Sequence, residues 1–135
     1  MKIINIVLRV ILGLLLISPI LGVLGVFPPP TPDLYNTPQA YNFIETLFNA
    51  KYIVYIQAFV FAVSIVLIIM NRMALASLLL IPITINIISF HAFLDGGLFT
   101  TGAIMANVLF VINLYFLWQN RQVYKVLFNK PVSVQ

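Results

Sequence analysis

The chain has no cysteine, a single histidine at position 91, and only three acidic residues, Asp33, Glu45 and Asp95. Without thiols there is no disulfide framework, no thiolate metal or iron–sulfur site, and no dithiol quinone reductase. One histidine is too few for bis-histidine haem ligation. Charge is equally scarce: Asp, Glu, Lys and Arg together make up 7% of the residues, against about 25% in ordinary soluble chains. A surface so poor in charge is not wetted by water, whereas lipid tolerates it.

What fills the sequence is apolar. Hydrophobic residues account for 62% of the 135 positions and the mean hydropathy is +1.09. The apolar runs are continuous rather than alternating, which predicts helices and not a barrel. The expected fold is all-α: a single polytopic membrane domain, an antiparallel four-helix transmembrane bundle with spans near 3–27, 51–70, 73–94 and 98–118. At the helical rise the first run is about 37 Å long, enough to cross with tilt. Its length and the absence of a small-x-small cleavage site favour a retained span over a signal peptide. Pro19 is expected to kink it.

Between the first two spans, PPPTPDLYNTP (28–38) is too dense in proline for a helix and predicts a stiff loop outside the membrane. In 39–50, Ala40, Phe43, Ile44, Leu47 and Phe48 share one helical face while Asn42, Glu45 and Asn49 share the other. That pattern suits an interfacial amphipathic helix, or equally an extension of the next span. Asn71-Arg72 and Gly96-Gly97 are the expected tight turns. The tail, 119–135, is basic and partly amphipathic.

The net charge of +4 is not gathered into a basic cluster with interleaved aromatics, so it does not point to nucleic acid. Four spans instead put Lys2, Arg9, Arg72, Arg121, Lys125 and Lys130 on one side. Asp33, Glu45 and Asp95 fall on the other, with Lys51 alone. This bias predicts that both termini are cytoplasmic. It also assigns depths: Arg9 lies about 9 Å inside the inner edge and His91 about 27 Å from it.

Asn113 falls level with Arg9, making a candidate polar pair on the inner side. The outer half gathers Gln57, Asn86, His91 and Asn107, closed by Asp95. Thr84, Ile88, His91 and Asp95 share one face, and His91 and Asp95 are spaced to hydrogen-bond. Asn86 is turned about 140° away from them. With Phe90 or Phe93 as an apolar slot, these residues form a candidate outer pocket for a quinone-like or lipid-like molecule. The competing reading takes Gln57, Asn107 and Asn113 as interhelical glue and Arg9 as a snorkelling cation. Gly22, Gly25 and the Gly102–Ala106 pair predict close helix packing.

Two stretches resemble a known family. One is LRVILGLLLISPILGVLG, with Arg9 and Gly13 in an R-x-x-x-G arrangement. The other is NRMALASLLLIPITINIISFHAFLD, with its NR turn, mid-helix proline and F-H-x-F-L-D element. Over most of its length the chain resembles the DoxX-like group of small four-span membrane proteins. The resemblance implies a four-helix membrane bundle, and in some relatives a membrane subunit of quinone-linked oxidoreductases, including thiosulfate oxidation. Relatives often carry acids within the second and fourth spans. Here the second span has only Gln57 and Ser64, and the matching place on the fourth is Asn113, which neutralises nothing.

The expected function is therefore an accessory or ligand-binding membrane subunit, with quinone as a candidate cofactor. The alternatives are a subunit of a quinone-linked complex whose redox group sits on a partner, or a structural assembly protein. Association into homo-oligomers fits any of these. No file of ionisable residues crosses the bilayer and no inverted repeat is present, which disfavours a proton channel or transporter.

Overall fold

Helix terminators divide the apolar sequence more sharply than propensity does. In the computed structural model, which describes residues 2–129, six α-helices follow one another. The first, α1 (Lys2–Val23), ends where Gly25 takes φ +77°. The Val26 and Gly25 amides then reach back to the carbonyls of Leu21 and Gly22 at 3.0 and 3.1 Å. This Schellman-type closure needs a left-handed residue, and it stops the helix four residues short of Phe27.

The proline-rich stretch is a loop, with one short 3-10 turn at Pro32–Leu34. Proline can open such a turn because the first position needs no amide donor. Next comes α2 (Pro38–Ala50), capped by Thr37, whose hydroxyl accepts from the Ala40 amide at 3.1 Å. Proline in the first turn and threonine at the cap both favour this start. Lys51, at φ +64°, separates α2 from α3 (Tyr52–Ile69), so the amphipathic segment is a helix of its own.

Asn71, at φ +61°, makes the next turn. The Arg72 amide donates to Leu67 at 2.8 Å and the Asn71 amide to Ile68 at 3.1 Å, another Schellman closure, with asparagine in the left-handed place. Then α4 (Met73–Phe93) runs through Pro82 to the Gly96-Gly97 turn. Residues 98–102 stay outside helical structure, and α5 (Ala103–Gln119) is followed by α6 (Arg121–Phe128) at a bend of 67°.

Three helices, α1, α3 and α4, are each long and apolar enough to cross a membrane, and α5 with α6 makes a fourth if the bent pair is one span. Packing centres on α4, which lies against both α3 and α5, while α1 packs on α3 and more lightly on α5. Leu12, Leu16, Phe61, Leu80, Leu109 and Phe116 interlock in the buried core. The outward faces are equally apolar: Ile6, Phe59, Met105 and Val111 are all more than half exposed. Such faces are stable against lipid, where helix association gains packing contacts rather than released water.

Polar contacts concentrate at the two ends. At one, the Tyr115 hydroxyl donates to Asn5 at 2.7 Å and Arg9 donates to the Asn71 side chain. This end carries Lys2, Arg9, Arg72, Arg121 and Lys125, and is called the basic end below. The other carries Asp33, Glu45 and Asp95.

Candidate functional site

At the acidic end the chain closes on Asp95, whose side chain is 1% exposed. One carboxylate oxygen pairs with His91 Nδ1 at 2.9 Å, and the other accepts the Asn36 amide at 2.8 Å. Neighbouring Thr37 donates its hydroxyl to the Leu94 carbonyl. Together these bonds tie the proline loop to the end of α4. Gly102 fits beneath them: a Cβ there would sit 3.5 Å from Asp95 Oδ2 and 3.7 Å from His91 Cε1. Both are ordinary contact distances, and the residue precedes α5 rather than lying within it.

Aromatic rings extend the closure. Phe90 stacks on Phe43 at 5.9 Å, meets Tyr35 edge-on at 6.3 Å, and lies edge-on to His91 at 5.1 Å. Burial, reinforced by the Asp95 carboxylate and by Tyr41, raises the Tyr35 phenol above its ordinary value of 10.0. Both Asp95 oxygens are thus occupied by the protein itself. The cluster has the make-up of a latch, with its strongest acceptor already engaged.

The other outer-half candidates lie apart from this latch. Gln57 is the one polar residue lining a cavity of about 180 Å³ bounded by Pro19, Gly22, Phe48 and Val54. Asn86 borders a cleft of about 190 Å³ on the Phe43 side of α4, with Phe90 and the exposed Phe93. Asn107 donates to the Leu98 carbonyl at 2.7 Å and so braces the 98–102 turn. Of the residues grouped from sequence, His91, Asp95 and Phe90 meet in the latch and Asn86, Phe90 and Phe93 share the cleft, while Gln57 and Asn107 join neither group.

Arg9 and Asn113 take separate partners. Asn113, fully buried, donates to Thr84 Oγ1 at 3.3 Å, and Thr84 in turn donates to the Ile81 carbonyl at 3.1 Å. Thr84 sits at the middle of α4, so Asn113 lies deeper than counting from the end of its span suggests. Its Oδ1 has no hydrogen-bond partner. Arg9 reaches the other way, to Asn71 in the α3–α4 turn.

A cavity of about 570 Å³ lies at the basic end, between the α3–α4 turn, the start of α4, Arg9 and α6. Arg9, Arg72, Asn71, Asn120 and Tyr124 supply its polar wall, while Leu75, Leu78 and Leu127 are among its apolar residues. Its far wall exists because α6 folds back: the Tyr124 hydroxyl donates to the Ala74 carbonyl at 2.7 Å and lies 2.9 Å from Ser77 Oγ. Arg121 caps the bend, donating to the Trp118 carbonyl at 3.0 Å with its guanidinium 4.6 Å over the indole. Sequence reasoning passes over this site because its parts lie far apart in the chain. The signals present are the NR turn and a tyrosine on the apolar face of the tail helix.

Among the described residues, no three His, Asp or Glu side chains converge as a metal site would require. Comparison with protein-family models, with characterised proteins and with solved structures returns no match.

Proposed function

We propose that the chain is a four-span membrane protein, an antiparallel helical bundle with both termini cytoplasmic, that binds an amphiphilic membrane molecule in the cavity at its basic end. In this reading α5 completes the fourth crossing and α6 lies along the interface. Eight residues with Val123 and Leu127 opposed to Arg121 and Lys125 suit that position, and Trp118 sits where interfacial aromatics collect. The likeness to the DoxX-like group, in the NR turn and the F-H-x-F-L-D stretch, supports the same architecture.

The observation that carries the binding role is the cavity. Its 570 Å³ falls within the range of about 300–1,000 Å³ usual for small-molecule sites. It combines an apolar wall with converging polar groups, as lipid-like and quinone-like ligands require. The acidic end is better suited to holding the loop in place, since Asp95 is already satisfied. The role is accessory rather than catalytic; electron transfer to a quinone would draw its redox group from a partner subunit.

Native mass spectrometry of the gently extracted full chain tests this. The expected spectrum carries an adduct of lipid or quinone mass that is lost in Leu78→Trp, which fills the cavity, and kept in His91→Ala. A bare protein, or an adduct lost with His91→Ala and kept with Leu78→Trp, would overturn the reading.

A further inference from the structure

Resting on the proposed binding role, we infer that the ligand at the basic end is an anionic phospholipid whose phosphate is held by Arg9 and Arg72. Two guanidiniums border one cavity, and no carboxylate side chain borders it among the described residues. All three acidic side chains of the sequence belong to the opposite end. Like charges brought together beside an apolar wall call for a counter-anion.

Arg9 shows the deficit directly. One Nη donates to the Asn71 amide oxygen, a neutral acceptor, while Nε is buried with no hydrogen-bond partner. A guanidinium is a planar fork of donors matched to phosphate, which it grips with two parallel bonds. Arg72, exposed on the same turn whose Asn71 Arg9 holds, supplies a second fork to the cavity. Basic pockets between helices at the cytoplasmic face are a recurrent site for acidic headgroups.

The apolar wall points to a lipid rather than a free anion. Leu75 and Leu127 border the cavity and are also 55% and 68% exposed, and Leu78 follows one turn further along α4. A headgroup lodged against the arginines would leave its acyl chains along this leucine track, in the lipid-facing groove between α4 and α6. Inorganic phosphate has no use for such a track.

The test is a lipid titration of the full chain in neutral detergent, read by native mass spectrometry. Phosphatidylglycerol and phosphatidylcholine of matched chains are compared. Phosphatidylglycerol is expected to bind more tightly, and Arg9→Gln and Arg72→Gln are each expected to weaken it about fivefold while leaving phosphatidylcholine unchanged. Lys125→Gln, which removes a cation outside the cavity, is expected to leave both unchanged. Arg72→Gln lies on an exposed turn and keeps the test decisive if Arg9→Gln does not fold.

Equal binding of the two lipids, with the arginine variants indistinguishable from wild type, overturns the anionic headgroup but leaves an amphiphile in the cavity. Inorganic phosphate competing as well as lipid at equal concentration overturns the lipid assignment. No retained lipid of either kind, in wild type and Leu78→Trp alike, defeats the binding role itself.

Discussion

Asp95 is held from two sides, its carboxylate paired with the ring nitrogen of His91 in the last turn of α4 and accepting from a loop amide 59 positions away. Asp95→Ala leaves the Asn36 amide and His91 Nδ1 without their acceptor, which should lower stability by about 1–3 kcal/mol. Asp95→Asn retains an acceptor for Asn36 and should cost less. Unfolding midpoints of the two variants in detergent check the order, and a larger loss in the asparagine variant would contradict the latch.

Tyr35 supplies a pH dependence at the same place. Its phenol is raised above 10.0 in the folded chain, first by burial and then by Asp95, so the folded state holds that proton more tightly than the unfolded state. The associated stability is complete below the unfolded value and declines as pH rises through the folded one. Thermal melts between about pH 9 and 11 should fall less steeply in Tyr35→Phe than in wild type.

At the scale of elements, the turn before α5 and one tyrosine on α6 shape how the ends close. Gly102→Ala should be tolerated, since its Cβ meets Asp95 and His91 at ordinary contact distances of 3.5 and 3.7 Å. Gly102→Leu should lower the folded yield more than Gly102→Ala where the longer side chain stays against the Asp95 carboxylate, and no more than it where that side chain turns outward from this exposed position. Comparing folded yield of the two separates crowding from any general intolerance of the turn. Tyr124→Phe removes the bonds that fold α6 onto α4, worth about 1 kcal/mol. Amide exchange should then quicken across 121–128 and stay unchanged in α3.

Much of this layer is legible in the sequence. Long apolar runs, Thr37-Pro38, the NR turn and Gly96-Gly97 place the main elements within a few residues. The i, i+4 spacing also anticipates the His91–Asp95 bond. Two kinds of information escape. Gly25 reads as a packing glycine and proves to be a terminator, because composition does not reveal a positive φ. The polar residues of the spans read as one cluster when sorted by depth alone. Helical rotation already turns Asn86 away from His91 in the sequence, but which helices touch is not legible there, and that sends Gln57, Asn86 and Asn107 to three different surroundings.

The chain is polarised along its length, with a self-satisfied latch at the acidic end and, among the described residues, two arginines without a carboxylate partner around a cavity at the basic end. That arrangement makes functional sense if the basic end faces the cytoplasm and α5 completes a fourth crossing. The cysteine-free sequence allows a direct measurement: single cysteines at exposed Thr31, Met70, Thr101 and Gln122, probed with a membrane-impermeant maleimide in intact and permeabilised cells. The account predicts that positions 31 and 101 react in intact cells, while positions 70 and 122 react only after permeabilisation. Labelling of position 122 together with position 101 in intact cells would mean that α5 does not cross, and would contradict the four-span protein proposed here.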